Sequence, residues 1–328
     1  MALTQIADVV VPEVFGPYAG SLSTTTSKLI ASNAVAIDGD LSSKLAAGGS
    51  TFNMPSWAAP DAEAEYQLPT DDSTEITPVK SVAQSEIAVR LAGNEAYSSA
   101  QLAAQLAGSN PHDALAGHIG NIVAGKRQTQ LINQLNGLFA TALAGSVSDI
   151  ASESIAGQTV GTTFNSDTFV DALAPFSDML GSSYSLIVHP DVYLKMMKET
   201  LIDFVSVGDG STQIQTYLGH PVVTDARCPK VAGITDGFKY TSYITAPGAV
   251  RMGTGSFEVA VDMNELAGTG SGVETLIVRD NFAFHVAGTK WTGTAAGAAP
   301  IGSELATGGN WAKVIDTKLI PMAAIVSN

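Results

Sequence analysis

SLIVHPDVYLKMMKE (185–199), with LGHPVVTDARCP (218–229) close behind it, is the stretch whose reading decides the fold. Leu186, Ile187 and Val188 make a short apolar run suited to a strand covered on both faces. Pro190 stands where a first helical residue would, with no N–H to lose there, and Asp191 sets a carboxylate at the positive end of the helix dipole. The helix is expected to turn Val192, Met196 and Met197 toward a core, with Lys195 and Lys198 near its C-terminal end. Gly219 and Pro221 shape the entry to a second apolar strand carrying Val222 and Val223. The order is buried strand, sharp corner, helix, strand, and nothing in it positions a nucleophile or a metal.

Upstream, residues 95–107 read as a short Ala- and Leu-rich helix stopped by Gly108, Ser109 and Pro111. Asp113 opens a second helix expected to reach Leu143, a span of about 45 Å at 1.5 Å per residue. Its apolar stripe changes side. Leu115, Ile119 and Ile122 share one face, whereas Leu131, Leu135, Leu138 and Phe139 lie on nearly the opposite one, with Lys126 and Arg127 at the changeover. Two stripes imply two contacts, for example the subunit's own sheet at one end and another part of the subunit, or a neighbour, at the other. The simpler alternative is a kink at Gly120 or Gly125.

STFNMPSW and VAQSEIAVRL (82–91) read as two strands joined through the turn cluster PTDDST, a long hairpin that is marginal in water unless it finds a partner surface. Residues 1–47 hold a short apolar segment, a Pro-Glu break and a helix signal from Pro17 to Ile30, but no strong core pattern, so they read as an extended arm or a frayed terminus. Residues 145–165 form a Ser- and Gly-rich crossing. Helices and short strands then alternate to about Val261, GTGSG (268–272) marks a return into long strands (ETLIVRDNFAFHVAG), and KLIPMAAIV closes the sequence as a strand. Two interleaved domains follow from this order.

The strand-HPD-helix followed by a G-x-P-V-V-x-D strand resembles the A-domain of tailed-phage major capsid proteins with the Johnson fold, also called the Hong Kong ninety-seven phage capsid fold. YITAPGAVRMG (243–253) is similar to that family's strand and Pro-Gly turn, and RDNFAFHVAGTKWTG (279–293) to its late aromatic strand and G-x-x-W turn. GNEAYSSAQLAAQLAGSNPHDALAGHIGNIVAGKRQTQLINQLNG (93–137) resembles the short helix and long spine helix. The resemblance implies an α+β chain with an N-terminal arm (1–47), an E-loop hairpin lying over a neighbouring subunit (48–92), a peripheral domain with the spine helix (93–150 and 262–328) and a compact mixed axial domain (151–261). It implies a major capsid protein that self-assembles as hexamers and pentamers into an icosahedral shell around double-stranded DNA. The expected partners are copies of itself, a scaffolding protein, a portal and a decoration protein. The expected location is the virion capsid, assembled in the bacterial host cytoplasm. Two other readings stand beside it: an encapsulin-type compartment shell of the same fold, and a hydrolase or binding domain.

Composition is consistent with a subunit whose faces disappear into neighbours. The 328 residues are 45% hydrophobic and only 14% charged, well under the roughly 25% usual for soluble domains, so much of the exterior must be Ala, Gly, Ser and Thr. A secreted Thr- and Gly-rich surface protein would share that exterior. Against it, MALTQIADVVVPEVF has no basic n-region and its apolar run is broken by Asp8 and Pro12, so it reads as neither a signal peptide nor a membrane span. The net charge is −15 and the first basic residue is Lys28, so no basic arm is present to neutralise phosphates. An acidic wall would repel enclosed DNA rather than read it.

The search for chemistry assigns no catalytic, cofactor or metal residue. Gly120, Gly125 and Lys126 meet all but the last position of the P-loop pattern, where Arg127 replaces the Ser or Thr that would hold magnesium, and the segment lies inside a helix. His112, His118, His189, His220 and His285 lack metal spacing, and no G-x-S-x-G elbow occurs. Glu63 with Glu65 and Asp71 with Asp72 read as solvated loop charges. Cys228 excludes an intrachain disulfide. Its flanks, Arg227 and Lys230, could lower a thiol pKa, although a lone Cys beside a strand end is more often structural. Some members of the resembled family cross-link through Lys and Asn. Lys80 is the only lysine of the proposed hairpin, no matching Asn or Glu can be assigned, and no cross-link is expected.

Overall fold

Ser185–Val188 is a strand buried at every position, and Pro190–Lys198 is the helix that follows it through the turn at His189, as the sequence implies. The computed structural model describes residues 34–57, 78, 83–100, 119–179, 184–199, 201–207, 212–264 and 272–328, with strands numbered β1–β16 and helices α1–α5 along the chain. Within them three sheets share one long helix.

The largest sheet runs β5-β16-β11-β6-β9-β8-β7, with β10 (Lys230–Ala232) added on β11. Its strands are β5 (Val147–Asp149), β6 (Ser185–Val188), β7 (Asp203–Val207), β8 (Thr212–Tyr217), β9 (His220–Thr224), β11 (Phe238–Thr245) and β16 (Met322–Ser327). β6 pairs parallel to β9 and antiparallel to β11, which makes it a central strand with a partner on each side. Side chains alternate between two cores, the period-two pattern of a strand covered on both faces. Ile187, Val223, Tyr243 and Ala324 join one, whereas Leu186, Val188, Val222, Ile244, Ala323 and Ile325 join the other. The second core is closed by Phe169 and Leu173 of α3 (Ser166–Leu173) and by Val192 and Met196 of α4 (Pro190–Lys198). Met197, expected to face the core, is 43% exposed, because the helix spends its apolar face on Val192 and Met196.

The other face of that sheet meets α2 (Ile119–Ala140), whose Leu131, Ile132, Leu135, Leu138 and Phe139 enter the first core together with Val250, Met252, Phe282, Phe284 and Val286. These last residues belong to a four-stranded sheet of order β1-β12-β13-β4, built on a long hairpin between β12 (Val250–Asn264) and β13 (Val273–Val286). β4 (Leu91–Ala100) runs along β13 from Leu91 opposite Phe282 to Ala100 opposite Val273. The expected helix over 95–107 is therefore wrong at 95–100, which is strand: continuous pairing with β13 outweighs the helix propensity of a short Ala-containing run. Residues 101–107 lie outside the described residues, as does the expected helix from Pro17 to Ile30.

α2 keeps its two stripes without a break. Ile119 packs with Leu276 and Val278 of β13 and with Tyr97 of β4, while Leu131, Leu135 and Leu138 lie in the core shared with the large sheet. The described helix is continuous through Gly120 and Gly125, so the kink alternative does not hold, and its two faces serve two contacts in one subunit.

Residues 34–47, assigned no core pattern from sequence, pack on the same four-stranded sheet. β1 (Val35–Ile37) pairs parallel with Val250–Met252 of β12, and α1 (Gly39–Ala47), capped by the Asp38 carboxylate, buries Leu41 and Leu45. A Cβ at Gly253 would lie 2.7 Å from Leu41 Cγ, so helix and strand approach at a distance that only glycine permits. The third sheet, β15-β14-β3-β2, joins β2 (Thr51–Trp57) and β3 (Ala83–Val89) as the expected antiparallel hairpin and continues through β14 (Thr289–Trp291) to β15 (Trp311–Lys313). The expected strand over 82–91 is divided at Arg90, whose N–H donates to Ser50 O (2.9 Å), so Val89 and Leu91 reach the core from two different strands. Pairing crosses the segment bounds expected from sequence, since β16 lies between β5 and β11.

Near its C-terminus α2 meets α5 (Gly302–Leu305) and β15 at Gly137. An added Cβ there would overlap Leu305 O and stand 2.7 Å from Trp311 Nε1, the pair that already forms a 2.8 Å hydrogen bond. At Gly120 an added Cβ meets nothing within 4 Å among the described residues. Gly137→Ala is expected to lower stability by about 1–3 kcal/mol through overpacking, while Gly120→Ala should raise it by about 0.5–1 kcal/mol. Urea unfolding of the two variants checks both signs.

Candidate assembly surface

The corner that opens α4 gathers His189, Asp191, Lys230 and Tyr240, and each is engaged in a structural contact. His189 caps the helix, its Nδ1 accepting the Asp191 N–H at 3.1 Å. Asp191 Oδ2 accepts from Lys230 Nζ (2.8 Å) and from the Tyr240 hydroxyl (2.9 Å), while the His189 ring lies 5.1 Å from that of Tyr240. The hydrogen bonds from Lys230 and Tyr240 hold the Asp191 carboxyl below its ordinary range, and burial lowers the His189 pKa despite nearby Asp191. The cation is thus Lys230, and the histidine is kept neutral as an acceptor.

Among the described residues, His220 and His285 also have partners. His220 Nδ1 accepts the Tyr184 N–H at 3.2 Å, and burial lowers its pKa. His285 Nε2 lies 2.8 Å from Glu86 Oε2, which also accepts the Gly288 N–H at 3.0 Å, linking the hairpin to the turn after β13. His112 and His118 lie outside the described residues, as do Lys80, Glu63, Glu65, Asp71 and Asp72. Among the described residues no group of three or more His, Cys, Asp or Glu side chains is placed to hold a metal, and no helix is long and apolar enough to cross a membrane.

The P-loop near-match resolves as helix. Gly120, Gly125, Lys126 and Arg127 all lie within α2, where backbone N–H groups are engaged in the helix rather than free to cradle phosphate. Arg127 forks onto Asp280 of β13, with Nε donating to Oδ2 at 2.8 Å and the guanidinium 5.4 Å from the Phe282 ring centroid; Lys126 pairs with Glu95 of β4. Cys228 is buried, and burial, with Asp225 adding to it, pushes its thiol pKa up. The possibility that Arg227 and Lys230 activate it is overturned, since Arg227 is turned to Asp225 and Lys230 to Asp191.

The structure offers surface instead of a reaction centre. Trp57 is 74% exposed where β2 pairs with Ala83, the last described pair of the hairpin and the one farthest from Thr51 and Val89. The segments 153–163 and 230–238, joined where the Thr235 N–H donates to Glu153 O at 3.1 Å, carry further exposed apolar side chains. Ile155, Val160, Val231, Phe238 and Ile234 (87%) are all exposed there, while the loops beneath are fixed by Glu153, which pairs with Lys239 and accepts the Ile234 N–H at 3.1 Å. Sequence reasoning did not single out these residues, because an apolar side chain at a strand end or in a turn reads the same whether it is covered or open. Their signal was only indirect, in the low charge of the chain.

Solved structures share this fold. The head structure of Helicobacter pylori bacteriophage KHP40 aligns with a TM-score of 0.52 at 11% identity, covering 85% of this chain and 84% of that one. The capsid of Ralstonia phage GP4 aligns with a TM-score of 0.52 at 7% identity, covering 78% and 83%. The fold is that of phage capsid proteins. In sequence, the major capsid protein of Bacillus phage SPP1 is 34% identical over 325 residues, 98% of this chain and 97% of the relative. The family model for major capsid protein 13-like proteins matches residues 49–319, and the chain belongs to that family.

Neutral His189 and His220 carry a pH consequence. An unfolded histidine titrates near 6.5, whereas in the fold both pKa values are lowered, chiefly by burial. As pH falls below about 6.5 the unfolded chain takes up protons that the folded chain refuses, so stability declines until the folded values are passed. His189→Asn, which keeps a capping oxygen, should flatten the decline between pH 7 and 5, as read from urea midpoints across that range.

Proposed function

We propose that the chain is the building block of a closed protein shell, assembling with copies of itself as hexamers and pentamers into an icosahedral capsid around double-stranded DNA. The observation that carries this is the 34% identity to the SPP1 major capsid protein along practically the whole chain. Because that relative is a phage coat protein, the reading is a virion shell rather than an enzyme-holding compartment. The surface supports it: large apolar side chains stand exposed on a two-stranded hairpin and on a loop cluster, as suits a subunit that completes its burial in company.

In this role the segments 1–47, 48–92, 93–150 with 262–328, and 151–261 act as arm, hairpin, peripheral and axial units. Two elements stitch them together: α1 against β12, and β16 between β5 and β11. The net charge of −15 fits a container that confines DNA without sequence-specific contact. Scaffolding, portal and decoration proteins are its partners, assembly takes place in the cytoplasm of the host, and the role is structural rather than enzymatic.

Expression of the full chain, alone and with a scaffolding partner, followed by electron microscopy of the purified material, tests the proposal. Closed shells or rings of five and six are expected. Monomers under every condition, at concentrations far above micromolar, would overturn it.

A further inference from the structure

Two exposed residues beside the second core are locally unfavourable choices. Leu218 turns β8 into β9 at φ +49°, and among the described residues it is the only non-glycine residue with a positive φ. A bulky side chain resists that left-handed region, which Gly and Asn enter at little cost. Leu218 is also 54% exposed, so no burial within the subunit offsets the strain. Asp171 stands in the last turn of α3, where the helix dipole opposes a carboxylate, and it is exposed and makes no salt bridge among the described residues. The turn lies on α3, since its flanking residues Tyr217 and His220 both pack against Phe169, with ring centroids 5.4 and 5.5 Å away. Strain kept at an open position points to a role outside the subunit's own stability.

The outer faces of α3 and α4 complement each other in charge. On α3, Asp167, Val170 and Asp171 are exposed at i, i+3 and i+4, so they form one strip on the side away from buried Phe169, Ala172 and Leu173. On α4 the same spacing exposes Leu194, Met197 and Lys198, away from buried Val192 and Met196. One strip is apolar and anionic, the other apolar and cationic, and Lys198, like Asp171, makes no salt bridge among the described residues. We propose that the α3 strip and the Leu218 turn of one copy pack on the α4 strip of the next, with Val170 and Leu218 against Leu194 and Met197 and with Asp171 paired to Lys198. This deepens the shell-building reading and rests on it, naming the side chains that select one neighbour. Each copy carries both strips, so the contact is heterologous and can repeat from copy to copy until a ring closes. The apolar residues give attraction and the charges fix which strip meets which.

Full-length variants separate this contact from fold stability. L218N places Asn before Gly219 in the two-residue loop between paired Tyr217 and His220, the sequence such a turn prefers. It should therefore raise the urea midpoint of the free subunit, and yet raise the concentration needed for assembly, followed by light scattering and electron microscopy, because the turn loses its apolar contact. D171K and K198D should each raise that concentration by about fivefold, the upper range for an exposed ion pair. The double variant D171K/K198D restores an opposite pair at every contact and should return the concentration close to that of the wild type, the signature of coupled residues. An L218N or D171K chain that assembles at the wild-type concentration, or two reversals whose costs add, overturns the contact and leaves the shell reading intact. A wild-type chain that forms no assembly overturns both.

Discussion

The fold depends on α2 lying between two sheets with its rotation fixed. Leu131, Leu135 and Leu138 press into the core under the large sheet, while Ile119 faces β13, so one helix must satisfy two surfaces at once. Burial gives the attraction, about 1.5–3 kcal/mol for each fully buried Leu, but it is non-directional. Polar pairs supply the direction. Gln128 donates to Asp225 just past β9, Asn136 accepts from the Tyr243 hydroxyl, Gln134 Nε2 donates to Phe284 O at 3.2 Å, and Arg127 holds Asp280. A rotation of α2 about its axis would orphan several of these groups together, each in a place where water cannot easily replace the partner. Gly137 sets the approach at the C-terminal end, where Leu305 and Trp311 occupy the space a side chain would need.

What was legible in the sequence was local or periodic. The corner at His189, Pro190 and Asp191 could be read because capping involves neighbours in the chain, and the divided stripe of α2 because periodicity survives at a distance from its partners. The missed features are settled by residues far away in sequence. Residues 95–100 are strand because β13 lies alongside, and α1 is buried because Gly253 leaves room on β12. Met197 reads as apolar helix face from spacing alone, yet the strip that α4 buries is only wide enough for Val192 and Met196. The bond between Gln128 and Asp225 joins residues 97 positions apart, and neither one carries a local mark of it.

The residues that first suggest chemistry are used for geometry. Asp191 beside His189 looks like an acid and base pair, but both the carboxylate and the imidazole already serve as acceptors, from Lys230 and Tyr240 in one case and from a backbone N–H in the other. Such satisfaction is what a rigid corner requires and what a reactive centre avoids, since a nucleophile or base must keep a lone pair available to substrate. Cys228, with its thiol pKa raised by burial, follows the same logic.

A building block of this kind carries a further physical constraint. The root of the β2 and β3 hairpin is held by Phe52, Ala88 and Val89 in the core and by Glu86, but among the described residues its pairing with β14 is Ile87 with Lys290 alone, and beyond the root a two-stranded ribbon is marginal in water. An exposed Trp57 adds apolar surface that the subunit alone leaves wet. Any partner that covers this surface binds the ordered hairpin and not its unfolded alternatives, so its binding energy becomes conformational stability by mass action. The hairpin can therefore be loosely held in the free subunit and firmly held in an assembly without any change in its own sequence-encoded pairing. Low charge favours the same coupling, because few ionic side chains must be stripped of water when faces close. Order at the hairpin and association between copies are then two readings of one equilibrium, and the concentration of subunits sets both.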